Sequence, residues 1–160
     1  MYRKEIEEYI DSHKDQMIED ICTLCRINSE KMPYTEVLQT ALTMMENYGF
    51  SVRNYDNYVG TADLNDKEAQ LDILAHLDIV PAGEGWTVTE PFEPVIKDGK
   101  LYGRGTADDK GPAVAALYAM RAVKELGIPV KKNVRLILGT DEECGSSDIA
   151  VYYKQEKEAP

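Results

Sequence analysis

Apolar residues along the chain recur at two different spacings, and each spacing predicts a different element. Positions three and four residues apart are typical of amphipathic helices, whereas short apolar runs bounded by turn residues are typical of strands. The first pattern predicts helices over residues 2–26, 35–48, 112–126 and 147–155. The second predicts strands over residues 50–53, 58–64, 70–77 and 134–138, together with a hairpin at the turn Asp98-Gly99.

This order of helices and strands predicts a single α/β domain, and a length of 160 residues is enough to bury a core. Hydrophobic residues make up 43% of the chain, which argues for a folded protein rather than a disordered one. We expect strands 58–64 and 70–77 to form a pair across the polar turn at residues 65–68. The run 71–75 is mostly apolar, as in a central strand that is covered on both faces.

The net charge of −11 argues against nucleic acid or an anionic membrane surface as a partner. Residues 1–15 are charged throughout and lack the apolar segment of a secretory signal, and no apolar run is long enough to span a bilayer. Three cysteines do not make a disulfide framework. Cys22 and Cys25 form a CxxC pair inside a predicted helix, where apolar packing explains them better than zinc does. We therefore expect a reduced, cytoplasmic protein.

A possible metal ligand lies at the end of the strand 70–77. On an extended strand, residues two apart point to the same face, so Asp78 can support the ring of His76 while His76 binds a metal ion. The alternative is a histidine at a strand end, followed by an aspartate in the next turn. This pair alone does not decide between the two interpretations.

The segment 103–111, with the sequence GRGTADDKG, combines three glycines with the adjacent acids Asp108 and Asp109. The acids precede a predicted helix, where the helix dipole favours negative charge. A dinucleotide-binding motif is disfavoured because Asp108 occupies the position of its third glycine, and a phosphate-binding P-loop is disfavoured by the wrong spacing. The remaining alternative to a metal site is an ordinary glycine-rich turn with acids at a helix start.

Three consecutive acids, Asp141, Glu142 and Glu143, follow the apolar strand 134–138. In a dry cleft they would repel one another, and either bound cations or solvent exposure would relieve that repulsion. A glutamate beside an activated water can act as a general base and then protonate the leaving amine, while its neighbour binds metal. Exposure is the more common explanation for such a run when it occurs alone.

Taken together, the three segments resemble the N-terminal part of the catalytic domain of a dinuclear-zinc metallopeptidase of the aminoacylase/carboxypeptidase family. Within that family the chain is most similar to bacterial PepV-type, carnosinase-like dipeptidases. The resemblance covers residues 71–148 almost continuously, through AHLDIVPAGEGW, TEPFEP, DGKLYGRGTADDKGPAVAALYAM and LILGTDEECGSSD. It implies that residues 1–160 are the N-terminal part of a single phosphorylase/hydrolase-like catalytic domain, which is incomplete and without its lid domain. The sheet is then expected to be mixed, mostly parallel and flanked by helices.

The resemblance also implies roles for individual residues. His76 would bind the first of two divalent ions and Glu143 the second, while Asp108 would bridge both ions ahead of a cis peptide bond. Glu142 would be the general base and acid, and Asp78 would support His76. Zinc is the expected metal, with manganese and cobalt as alternatives, and the expected substrate is a small dipeptide.

The family pattern includes a further carboxylate ligand, a distal histidine and a lid domain that do not occur in these 160 residues. Because a catalytic zinc ion normally has three protein ligands, we expect this chain to bind metal weakly and to have little or no activity. An alternative enzymatic function is removal of an acyl group from an amino acid. A non-catalytic domain that binds only metal or a partner is the alternative from another class.

Overall fold

The computed structural model describes residues 2–156, so Met1 and residues 157–160 lie outside the described part of the chain. The helices of this part are α1 (Arg3–Ser12), α2 (Lys14–Cys25), α3 (Thr35–Asn47), α4 (Lys110–Glu125) and α5 (Ser147–Gln155). The strands are β1 (Ser51–Tyr55), β2 (Val59–Asp63), β3 (Ala69–His76), β4 (Val95–Lys97), β5 (Lys100–Tyr102) and β6 (Asn133–Gly139). A short 3-10 helix, Glu142–Cys144, follows β6.

The single helix predicted for residues 2–26 is wrong, because the structure divides it into α1 and α2 at His13. The Oγ of Ser12 donates to the backbone carbonyl of Tyr9 at 2.8 Å, and Nδ1 of His13 lies 2.8 Å from the same oxygen. Side chains that bind a nearby carbonyl in this way compete with regular helical hydrogen bonding. The apolar periodicity continues across the break and therefore gives no sign of it.

The main sheet has the strand order β1-β2-β6-β3. Strand β6 runs antiparallel to β2 and parallel to β3, and β1 runs antiparallel to β2. The predicted mixed sheet flanked by helices is confirmed, but the expectation that it is mostly parallel is wrong for the described strands. The expected pairing of β2 with β3 is also wrong, because the apolar strand β6 lies between them.

Strand β3 lies at the edge of this sheet rather than at its centre, so the expected burial of both its faces is wrong. Leu71 is 52% exposed and Leu74 is 60% exposed. The apolar run therefore correctly predicts a strand, but it does not predict the position of that strand in the sheet. Ala75 and His76, at the carboxyl end of the strand, are buried.

The hydrophobic core lies between the sheet and the helices α2, α3 and α4. A smaller apolar cluster forms on the α5 side, where Tyr152 packs against Tyr55, Val59 and Ile137. The predicted hairpin at Asp98-Gly99 is confirmed as the turn between β4 and β5, which form a separate two-stranded sheet. Both turn residues have positive φ, at 51° and 73°, as the tight hairpin turn requires.

None of the helices between residues 2 and 156 combines the length and the apolar character that are needed to cross a membrane.

Candidate active site

The candidate site lies where the two parallel strands of the sheet end. His76 is the last residue of β3 and lies opposite Gly139, the last residue of β6. Carboxyl ends of neighbouring parallel strands meet at one edge of a sheet, which is where open α/β sheets bind ligands. Glu142 and Glu143 follow β6 after a two-residue connection, and Asp108 lies just before α4. The fold therefore brings the three sequence segments to one place.

The imidazole of His76 is at the centre of this group. Its Nε2 lies 3.1 Å from Oδ1 of Asp108 and 3.9 Å from Oε2 of Glu142. Ligand atoms of His76, Glu142 and Glu143 all lie within 4.8 Å of one another. His76 is buried, whereas the side chains of Asp108 and Glu142 are 74% and 58% exposed. The site is thus a fixed imidazole facing a group of carboxylates that solvent can reach.

Asp78 supports this arrangement through hydrogen bonds, and only 1% of its surface is exposed. Its Oδ1 lies 3.3 Å from Nδ1 of His76, and that nitrogen also lies 3.0 Å from the backbone carbonyl of Asp78. The same carboxylate accepts the backbone N–H groups of Glu142 at 3.2 Å and Glu143 at 3.0 Å. Asp78 therefore fixes both the histidine ring and the turn that carries the two glutamates.

The electrostatics of the site follow from these contacts. The hydrogen bond to Asp78 raises the pKa of His76 to about 9, although burial acts in the opposite direction. Burial alone would raise the pKa of Asp78, but hydrogen bonds from His76, Glu143 and Glu142 outweigh it and lower that pKa. Burial and then the charge of Asp108 raise the pKa of Glu143. The contribution of Asp108 reflects repulsion between neighbouring carboxylates, which a bound cation would offset.

Two neighbours of Asp108 tie its loop to the rest of the fold. The peptide bond between Asp108 and Asp109 is cis, as the family resemblance implies. Oδ2 of Asp109 accepts the backbone N–H of His76 at 3.1 Å, and burial raises the pKa of Asp109. Lys110 is fully buried, and burial lowers its pKa to about 8.

Asp148 is a site-supporting residue that the sequence reasoning missed. It is 1% exposed, and its Oδ2 accepts the backbone N–H groups of Thr140 at 2.6 Å and Asp141 at 3.2 Å. A Cβ at Gly139 would overlap this carboxylate, so only glycine allows the close approach. Asp148 thereby holds the turn after β6. The one available signal was an acid in the first turn of a predicted helix.

The donor set of the site fits a divalent metal ion. One imidazole with several carboxylates is a common ligand set for zinc and for the related ions manganese and cobalt. The trio whose ligand atoms lie within 4.8 Å of one another contains Glu142, which the resemblance gives as the base, and not Asp108. Asp108 instead contacts His76 directly. All five predicted site residues therefore lie in one contact network, although their individual roles do not follow from the geometry.

Comparison with known proteins extends this picture. The sequence profile of peptidase family M20/M25/M40 matches residues 73–159, which is more than half of the chain and includes every predicted site residue. The chain belongs to this family. The resemblance drawn from the sequence motifs is thereby confirmed.

Two relatives of this M20/M25/M40 chain come from bacteria. The protein YtjP of Bacillus subtilis (strain 168) is 36% identical over 156 residues, which cover 90% of this chain and 34% of YtjP. The Beta-Ala-Xaa dipeptidase of Lactobacillus delbrueckii subsp. lactis is 36% identical over 163 residues, which cover 94% of this chain and 34% of that enzyme. The chain therefore spans about a third of the length of the curated relatives that it matches.

A solved structure supports the same fold. The crystal structure of human carnosine dipeptidase 1 superposes with a TM-score of 0.84 at 26% identity. The superposition covers 98% of this chain and 38% of the human chain. The mixed sheet and its flanking helices are thus the family's fold over nearly the whole of the described chain.

Proposed function

We propose that this chain provides part of the site of a metal-dependent dipeptidase of the M20/M25/M40 family. The observation that carries the proposal is the convergence of His76, Glu142 and Glu143, whose ligand atoms lie within 4.8 Å of one another, beside Asp108. Peptide hydrolysis is favoured over removal of an acyl group because both the Lactobacillus relative and the human structure are described as dipeptidases. The proposed substrate is a small dipeptide, and the proposed location is the cytoplasm.

His76 would hold one of two divalent ions and Glu143 would hold the other, while Asp108 would bind both. Zinc is the preferred metal. Such ions, when bound, polarise the scissile carbonyl and make the attacking water more acidic. Nδ1 of His76 faces Asp78, so its Nε2 is the nitrogen directed to the carboxylates. Asp78 keeps the ring in that orientation and makes it a better ligand.

Glu142 is the proposed general base and acid. Its side chain is 58% exposed, so substrate can reach it, and its backbone N–H is fixed by Asp78. The carboxylate takes a proton from the attacking water and returns it to the departing amine. Because Glu142 Oε2 lies 3.9 Å from Nε2 of His76, the proton acceptor and a metal ligand share one edge of the site.

Among the described residues, each ion would have one ligand of its own plus the shared Asp108, which is fewer than the three protein ligands of an ordinary catalytic zinc site. We therefore expect this 160-residue chain to bind Zn²⁺ weakly and to have little or no dipeptidase activity. Submicromolar binding of two Zn²⁺ ions would contradict this expectation.

The test compares the two histidines of the chain. Calorimetric titration with Zn²⁺ should show that binding is lost in His76→Ala and kept in the matched control His13→Ala, whose ring stacks on Tyr9. Glu142→Gln should retain Zn²⁺ binding, because Glu142 is the proposed base and not a ligand. It should remove any residual hydrolysis of a β-alanyl dipeptide, because a general base usually contributes about 100- to 10,000-fold. Unchanged Zn²⁺ binding in His76→Ala would refute the proposed function.

A further inference from the structure

Lys110 occupies an unusual position for a lysine. It is the first residue of α4 and is fully buried, and its aliphatic stem runs against Gly105. The structure gives it no carboxylate ion-pair partner within residues 2–156. A buried ammonium group is costly unless other groups replace its lost hydration. The site of Lys110 must therefore provide such groups.

The replacement comes from the end of a different helix. Nζ of Lys110 donates to the backbone carbonyls of Leu24 at 3.0 Å and Ile27 at 2.9 Å. Helix α2 ends at Cys25, so Leu24 lies in its last turn and Ile27 just beyond it, where the helix dipole places its negative end. The carbonyl of Leu24 also accepts the backbone N–H of Ile27 at 3.2 Å, so Lys110 is its second donor. Lys110 thus satisfies these acceptors with a positive charge and joins the start of α4 to the end of α2.

A second tie lies on the other side of the same loop. Asp109 accepts the backbone N–H of His76, as described above, and its own carbonyl accepts the N–H of Ala113 at 2.9 Å. The loop also closes on itself, because the N–H of Gly111 donates to the carbonyl of Gly105 at 3.3 Å. Asp108, which is exposed and lies 3.1 Å from His76 Nε2, is held by these backbone ties.

We propose that Lys110 is a positioning residue that fixes Asp108 beside His76 by anchoring the 105–109 loop to the carboxyl end of α2. The inference rests on the proposed function, in which Asp108 is the shared metal ligand. It assigns no contact between Lys110 and metal or substrate. Its effect on the ions is indirect, because metal ligands bind well only when supporting groups hold them in place.

The principal variant is Lys110→Met, which keeps an unbranched stem but removes the ammonium group, so that the carbonyl of Ile27 loses its donor and the carbonyl of Leu24 keeps only the backbone N–H of Ile27. This variant will also lose stability, so a control with a purely structural defect is needed. Leu117→Val serves for this purpose, because Leu117 is 1% exposed in the core and belongs to the same helix. It shortens a packed side chain without removing a hydrogen bond.

The readout is a Co²⁺ titration followed by the visible absorption of the bound ion, whose spectrum reports ligand geometry. We expect Lys110→Met to weaken Co²⁺ binding by about 10- to 100-fold, as is usual when support of a metal ligand is lost, and to alter the spectrum. The comparison is made at 25 °C or below, under conditions in which circular dichroism shows that both variants are folded. There Leu117→Val should retain the wild-type affinity and spectrum. Amide hydrogen exchange across residues 105–111 should accelerate in Lys110→Met and not in Leu117→Val.

Three outcomes would overturn the inference, and the third would also overturn the proposed function. If the wild-type chain binds Co²⁺ and folded Lys110→Met binds it with the same affinity and spectrum, Lys110 contributes stability alone and the inference is overturned. If Leu117→Val weakens binding as much as Lys110→Met does, the effect belongs to general stability and the inference is again overturned. If the wild-type chain binds no Co²⁺, the proposed function fails and this inference fails with it.

Discussion

The variant Asp78→Asn is the most specific perturbation of the candidate site. The substitution hardly changes the size of the side chain but replaces one acceptor oxygen by an NH₂ group. In the structure the two oxygens serve Nδ1 of His76 at 3.3 Å and the backbone N–H groups of Glu142 and Glu143 at 3.2 and 3.0 Å. An amide has one acceptor oxygen, so one of these donors must face another donor.

The size of the effect follows from burial and charge. Asp78 is 1% exposed, so water cannot replace the lost acceptor. A hydrogen bond to a charged group contributes about 1.5–3 kcal/mol, and we expect the free energy of unfolding to fall by about that amount. Loss of support for a metal-bound histidine typically weakens metal binding by about 10- to 100-fold. Zn²⁺ affinity should therefore fall in that range.

The assay combines urea unfolding followed by circular dichroism with calorimetric Zn²⁺ titration. Asp66→Asn, at an exposed position in the turn after β2, is the control and should change the free energy of unfolding by less than about 0.5 kcal/mol. If Asp78→Asn matches this control in both stability and Zn²⁺ affinity, Asp78 does not organise the site and the reasoning is wrong.

Two further predictions concern residues outside the site. Both carboxyl oxygens of Asp72 are buried without a hydrogen-bond partner, and burial raises its pKa. The ionised form therefore costs stability at neutral pH, so Asp72→Asn should raise the free energy of unfolding at pH 7 by about 1 kcal/mol. The gain should shrink as the pH falls toward the usual carboxyl value of 3.8, and a gain independent of pH would contradict it. Cys144 is exposed, whereas Cys22 and Cys25 are buried and burial raises the pKa of Cys25 to about 11. A disulfide reagent at pH 8 should thus modify one thiol in the native protein and three after denaturation, whereas rapid modification of all three in the native state would contradict the packing of α2.

Local patterns allowed most elements to be predicted from the sequence, but not their arrangement. The hairpin at Asp98-Gly99 depends on two residues that tolerate positive φ, and helix α5 depends on spacing within nine residues. The position of β6 between β2 and β3 depends on contacts with distant segments. Periodicity shows that a strand is apolar but not which strands flank it. For that reason β3 was expected at the centre and lies at the edge.

In the candidate site, too, local features could be predicted from the sequence and contacts between distant segments could not. His76 and Asp78 could be placed together because residues two apart on a strand share a face, and the two are in contact in the structure. The bonds from Asp78 to the glutamate turn span 64 and 65 residues, and those from Lys110 to α2 span 86 and 83 residues. No periodicity encodes contacts over such separations. The residue types that carry chemistry could therefore be identified, whereas the groups that hold them could not.

The most direct test of the account is a crystal of this chain soaked in ZnCl₂ and measured by anomalous diffraction at the zinc edge. The account predicts an anomalous peak within direct coordination distance, about 2.0–2.2 Å, of Nε2 of His76 and of a carboxylate oxygen of Asp108. Zinc bound only elsewhere on the surface, with His76 still paired to Asp108, would contradict it.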